Sequence, residues 1–253
     1  MDVQNDSIIN IYCYDGSIEG LYSALKITCP LWNSNFDIVN EKDYQPAIFS
    51  KLIPVHTKPV DKINIESFLS NKCSAESRKN WRLMLCSGKK ERNVLMTRYL
   101  AALVKYRFNS EKNVHDLRVF NVHQHVRNIF REIDRMLGLL RFEETVNGLY
   151  YSLCEPDHDI ISFLAIHFKN RMPEQSWVIH DRKRCKAVIY QNRSIIAVSV
   201  PQARKPEISQ NEIYFRSIWK TYFKTICIRE RTNKKLQQSF IPNRYRKHLP
   251  ELN

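Results

Sequence analysis

The stretch Leu139–Cys154 reads LLRFEETVNGLYYSLC, and it marks the point where the chain changes its period. Before it, apolar residues recur at helical spacing. Val94, Leu95, Leu100, Leu103 and Val104 do so with Arg98 and Lys105 left for solvent. Leu117, Phe120, Val126, Ile129, Phe130, Ile133 and Leu137 do so again, ending at Gly138. From Leu139 the pattern becomes two short runs, Leu139–Glu144 and Leu149–Cys154, on either side of Asn147-Gly148. That dipeptide accepts positive φ in a tight turn, so it signals a β-hairpin. Helices before this point and strands after it make the class α+β.

Toward the C-terminus, Glu155-Pro156-Asp157 is placed to cap a helix over about His158–Asn170, with Ile160, Phe163, Leu164 and Phe168 inward. Three strands follow, Trp177–His180, Cys185–Tyr190 and Ser194–Val200, with tips at Asp181–Arg184 and Gln191–Arg193. Ser209-x-x-Glu212 is a capping box that opens a helix to about Arg229. On that helix Phe215, Trp219, Tyr222 and Ile226 line one face, and Arg216, Lys220 and Lys224 form a basic stripe beside it.

Toward the N-terminus, about 63–138 is helical, and Pro30, Pro46, Pro54 and Pro59 punctuate an irregular stretch holding a short strand or two. Ile8–Tyr14 reads as a buried strand, Asp15-Gly16-Ser17 as a turn and Ile18–Ile27 as a helix. A strand, a turn and a helix N-terminus can bind an anion, but this one lacks the phosphate-loop pattern and reads better as a plain tight turn. The organisation is an N-terminal strand-turn-helix with a helical middle (1–138) and a C-terminal antiparallel sheet packed with helices and ending in a basic helix (139–253). The two parts could form one continuous domain.

Composition excludes several classes. With 253 residues, 43% hydrophobic and 26% charged, the chain is neither disordered nor collagen-like, and it is long enough to bury a core. No apolar run approaches the roughly 20 residues of a membrane span, and Met1–Asp6 lacks the start of a signal peptide. A soluble, cytoplasmic protein without a membrane partner is expected. The seven cysteines include no C-x-x-C pair, and His123 and His125, two apart on a helix, point to different sides. No metal or cofactor of its own is expected.

The net charge of +14 is unevenly spread. Residues 1–60 hold four bases and seven acids. From Tyr214 to Pro250 there are ten bases and one acid, Glu230. Such a field attracts a polyanion, most directly nucleic acid. Arg171, Arg184, Arg216, Lys220, Lys224, Arg229, Arg231, Arg244 and Lys247 would grip phosphates, provided that they share one exterior patch. Tyr245 or Trp219 would stack on a base. The alternative is a solvated basic surface.

The densest polar cluster is Glu155, Asp157, His158 and Asp159, joined in prospect by His167, Arg171, His180, Asp181 and Arg184. Asp157, His167 and Asp181 are the candidates for acid–base or metal-assisted hydrolysis of nucleic acid. Helix capping and ion pairing explain the same residues, and a polar binding pocket is a third reading. Motifs of a self-sufficient enzyme (H-E-x-x-H, G-x-S-x-G, a phosphate loop or a dinucleotide fingerprint) do not occur.

Several stretches in order carry a resemblance. They are Tyr14–Leu21, Glu155-Pro156-Asp157, His167-Phe168 with Arg171, Trp177–Arg184, Trp219-Lys220-x-Tyr222-Phe223, Ile228-Arg229-x-Arg231-x-Asn233 and Pro242-x-Arg244-Tyr245-x-Lys247-His248-Leu249. Together they make the chain similar to a bacterial family of probable DNA metabolism proteins of unsettled activity, with residues 28–90 matching loosely. The resemblance implies a DNA partner and a radical-SAM protein of DNA repair or modification, beside which such proteins are encoded. Some relatives are fused to a uracil-DNA glycosylase-type domain, a portion not expected here. Arg246 stands where many relatives would carry an aromatic residue. Three functions follow as expectations: a DNA-binding accessory protein, a hydrolase on nucleic acid, and a protein–protein adaptor for the radical-SAM partner.

Overall fold

The structure is a computed structural model that describes residues 8–200, 206–228, 231 and 233–252. The chain divides into two compact units, Met1–Ile129 and Phe130–Asn253.

In the first unit β1 (Ile9–Tyr14) lies between β2 (Phe36–Asn40) and β3 (Ser50–Pro54) and runs parallel to both. The proline-punctuated stretch therefore supplies two strands. α1 (Ile18–Thr28) starts where Ser17 Oγ accepts from the Gly20 N–H at 2.9 Å. Any side chain at 20 would displace the Asp15 carboxylate, because a Cβ there would stand 2.2 Å from Asp15 Oδ1. The Asp15 carboxylate takes bonds from Ser17 N (2.9 Å), Ser17 Oγ (2.6 Å) and Thr57 Oγ1 (2.7 Å). An acid fixed in the turn opposes an anion, so the turn is structural.

The helical middle comprises α2 (Pro59–Lys72), α3 (Ala75–Leu85), α4 (Arg92–Tyr106) and the start of α5 (Leu117–Leu139). Leu69, Trp81, Met84, Met96, Tyr99 and Leu103 are fully buried there. Beside them the Glu111 carboxylate collects Ser77 Oγ (2.7 Å), Tyr99 OH (2.5 Å), Asn80 Nδ2 (3.1 Å) and His123 Nε2. His125 Nε2 meets Ser87 Oγ at 2.6 Å, so both histidines are boundary residues with separate partners.

The second unit is built on a five-stranded sheet of order β4-β5-β6-β7-β8, from β4 (Glu143–Glu144), β5 (Tyr150–Cys154), β6 (Trp177–Asp181), β7 (Lys186–Gln191) and β8 (Ser194–Ser199). The Asn147-Gly148 turn is present with Gly148 at φ 73°, pairing β4 with β5 antiparallel. Its first strand is shorter than the alternation suggests, because α5 continues to Leu139 and Leu140 N still bonds Met136 O at 3.0 Å. The sheet is mixed where an antiparallel one was expected: α6 (Ile161–Arg171) crosses over between β5 and β6 and makes that pair parallel. Trp177 stacks on Tyr190 at 5.0 Å, and Phe142 meets Phe168 edge-on at 4.9 Å to complete the core. The chain then enters α7 (Gln210–Thr225) alongside β4, with Ser209 N bonded to Glu144 O at 2.9 Å. α8 (Lys234–Phe240) and α9 (Asn243–Arg246) follow.

One carboxylate organises this unit. Glu132, on α5 and only 5% exposed, accepts from Asp157 N (2.7 Å), His158 N (2.9 Å) and Tyr245 OH. Those bonds explain why Asp157 is not the helix cap the sequence suggests. Its backbone is held by Glu132, and the helix opens later, at Ile161, after Ile160 and without a side-chain cap. Ser209 Oγ does accept from Glu212 N at 3.1 Å as the capping box requires, but the Glu212 carboxylate reaches Glu144 N and Arg216 instead of closing the box.

Replacing Glu132→Gln puts an amide donor against donors. We expect it to lower the unfolding free energy by about 2 kcal/mol in urea titration, and an unchanged midpoint would remove Glu132 from this role. The β7–β8 turn holds Asn192 at φ 51° and Arg193 at φ 60°, and glycine is preferred at the second of these positions. The Arg193 ion pair to Glu174, at 3.4 Å, is almost fully exposed and contributes little. Arg193→Gly should therefore raise stability by about 0.5–1 kcal/mol, read as a higher melting temperature.

Candidate functional site

β5 and β6 end side by side, with Cys154 opposite Asp181. The carboxyl ends of parallel strands face outward beyond the sheet, and the loops that follow them gather there. Asp181 is wholly buried. It caps the 3₁₀ turn Arg182–Arg184 by accepting from Arg184 N (3.2 Å), and it also holds the Arg184 guanidinium at 2.8 Å. Arg184 goes on to donate to Pro156 O (3.0 Å) and Asp157 O (2.5 Å), which ties down the loop after β5. Asp157 in turn pairs with Arg244 at 2.7 Å, and Glu155 with Lys247. Burial pushes the Glu155 carboxyl up, but the Lys247 ammonium beside it, together with His248 and Arg182, more than offsets this and holds it below the usual range. Glu155, Asp157, Asp181 and Arg184 therefore converge, as an interlocked set of ion pairs.

His167 and Arg171 do not join them. α6 starts near the carboxyl end of β5 and returns toward the amino end of β6, a rise of about 15 Å over its length. Its last turns, which carry His167 and Arg171, point away from the Asp157–Asp181 end. His167 packs edge-on against Phe168 at 5.2 Å. Asp157, His167 and Asp181 thus do not assemble, and Asp181 is committed to Arg184. Among the described residues no group of three His, Cys, Asp or Glu is placed to hold a metal.

The basic residues near the C-terminus are interleaved with carboxylates and do not form one bare patch. Besides Arg244 and Lys247, Arg216 pairs with Glu143 and with Glu212 (3.2 Å), Arg182 lies 3.9 Å from Glu155, and Lys183 lies 3.8 Å from Asp157. Among the described residues no carboxylate pairs with Lys220, Lys224 or Arg231. Arg229 lies outside the described residues. Tyr245 is 1% exposed, and burial with the Glu132 bond drives its hydroxyl well above the ordinary phenol range, so it stays a proton donor in the core. Its ring is not presented to a base. Arg244 covers that ring at 4.6 Å.

The aromatic face of α7 is exposed. Phe215 is 62%, Trp219 41% and Tyr222 51% open to solvent, and no residue of α7 is buried. Trp219 and Tyr222 lie with centroids 5.7 Å apart, and Trp219 Nε1 donates to Glu251 at 3.2 Å. Around the start of this face, Arg141, Glu143, Arg216, Lys220, Lys247 and His248 enclose a cavity. Arg141 and Glu143 carry no local signal in the sequence, because they reach this cavity from outside α7 and the C-terminal tail, whereas His248 lies within the last of the stretches that carry the resemblance.

No helix among the described residues is long and apolar enough to cross a membrane. No curated protein and no solved structure matches the chain. A family model described as a domain of unknown function, DUF4130, matches residues 90–251, which take in the later helices of the middle and nearly all of the sheet unit. The chain, with its ion-paired loops at the β5–β6 ends and its open aromatic helix, belongs to the DUF4130 family.

Proposed function

We propose that this protein is a nucleic-acid-binding accessory protein in DNA repair or modification, acting with a radical-SAM partner. The observation that carries the reading is α7, one helix that presents exposed Phe215, Trp219 and Tyr222 beside Lys220 and Lys224, bases with no carboxylate partner among the described residues. Rings on one face with a basic stripe along the neighbouring side suit a single strand, because every base has a face that can stack and every linkage a charge to meet. Arg244 and Lys247 are held by Asp157 and Glu155, so they add less than their number suggests. The radical-SAM partner rests on the resemblance of the sequence motifs alone.

The hydrolytic alternative finds no support in the placement of Asp157, His167 and Asp181. An adaptor function is favoured by the same apolar exposure on α7, since a protein partner could cover it.

Anisotropy titration of a labelled single-stranded oligonucleotide tests the first reading. Affinity should fall steeply with salt, and changing Lys220, Lys224 and Arg231 together to Gln should flatten the log–log slope by about 2. Trp219→Ala should weaken binding about ten-fold with the slope unchanged. Affinity that ignores salt would end the proposal. Copurification separates accessory from adaptor: recovery of the radical-SAM protein after nuclease treatment favours the adaptor, and its loss favours a complex bridged by nucleic acid.

A further inference from the structure

We infer that the cavity walled by Arg141, Arg216, Lys220, Lys247 and His248 is a binding site for a phosphate group. The inference deepens the reading above and rests on it for the source of that phosphate. The cavity measures about 170 Å³. A water molecule occupies about 30 Å³ of liquid, so a cavity of this size admits a tetrahedral oxyanion readily.

Its wall is assembled from three places in the second unit. Arg216 and Lys220 stand one turn apart on α7 and so face the same way. Arg141 comes from the segment that joins α5 to β4, and Lys247 and His248 follow α9. Four fixed cations and an imidazole thus meet one carboxylate, Glu143, in the lining. The other acids that touch these bases, Glu251 at 2.7 Å from Arg141, Glu212 at 3.2 Å from Arg216, and Glu155 on Lys247, are not part of the wall. They hold the cations in place, and this ordering lowers the cost of gathering like charges around a ligand. Arg141 is further fixed by donating to Gly138 O at 2.8 Å and Leu140 O at 3.2 Å. Lys220 is the exception, with no carboxylate partner among the described residues, and its charge is the one a bound anion would answer. Charge-assisted bonds to phosphate are short and strong where water is partly excluded.

A second recess adjoins the cavity and shares Arg141, Glu143 and Arg216 with it, while adding the apolar surfaces of Phe142, Phe215 and Trp219. A phosphate in the first compartment would leave the sugar and base attached to it beside those rings. That pairing of compartments favours a nucleotide phosphate, either an end group or a linkage within a strand.

Lys220→Gln is the informative variant. It removes a charge without breaking an ion pair, whereas loss of Arg216 would take a partner from both Glu143 and Glu212. Lys169→Gln, at an exposed position of α6, is the charge-matched control. Inorganic phosphate, a 5′-phosphorylated oligothymidylate and its 5′-hydroxyl counterpart would each be titrated at constant ionic strength, with chemical-shift changes of the full chain as readout. Phosphate should bind the parent and the Lys169 variant alike, and the Lys220 variant about ten-fold more weakly. Preference for the phosphorylated oligonucleotide, lost in Lys220→Gln, assigns the site to a strand end. Equal binding of both oligonucleotides, equally weakened by Lys220→Gln, assigns it to a linkage. Lys220-dependent binding of inorganic phosphate with neither oligonucleotide bound would keep the pocket and discard the nucleic-acid reading. Oligonucleotide binding that Lys220→Gln and Lys169→Gln affect alike, without Lys220-dependent phosphate binding, would discard the pocket and keep the reading.

Discussion

A buried carboxylate must find donors or be expelled, and Glu132 finds three. Two are consecutive backbone N–H groups in the loop after β5, and the third is a tyrosine hydroxyl near the end of the chain. Burying that charge is costly, so the loop conformation that satisfies it is strongly selected over those that do not. Arg184 does the complementary task from the other side, donating to the carbonyls of Pro156 and Asp157 while Asp181 neutralises it. The loop is therefore held at its amides by an acid and at its carbonyls by a base. Every other feature of that end of the sheet, including the Asp157–Arg244 and Glu155–Lys247 pairs, depends on where this loop lies.

Much of the architecture was legible locally. Hydrophobic period marked the helices, Asn147-Gly148 and Gln191–Arg193 marked turns, and Ser209 marked the start of α7. Short-range signals of this kind survive because the backbone obeys them wherever tertiary contacts do not object. The failures share one cause. Asp157 looks like a cap, Leu139–Glu144 looks like a strand and Tyr245 looks like a surface ring only while Glu132, Arg184 and the packing of distant segments are left out. A lone glutamate on an amphipathic helix carries no mark that distinguishes a hub from a solvated charge.

The basic C-terminal region teaches a related point. A count of charges along the sequence describes a field, but partners drawn from elsewhere in the fold decide how much of it reaches solvent. Arg216, Arg244 and Lys247 spend much of theirs on Glu143, Glu212, Asp157 and Glu155. What remains open is narrower and of mixed character, with aromatic rings beside a few unneutralised ammonium groups. A helix with period-correct apolar residues is ordinarily read as a packed one. Here that inference fails for α7, and the failure itself locates the surface of interest.

The parallel pairing of β5 with β6 also bears on how the second unit assembles. The β6–β7 and β7–β8 hairpins close through a few residues each and can form early. The β5–β6 register must await the excursion through residues 155–176, including α6. During that interval the β6 edge, with Trp177 and Ile179 along it, has no neighbour on one side and is a template for another chain. A slow central seam flanked by fast hairpins makes crowding during synthesis, rather than marginal final stability, the hazard this topology has to outrun.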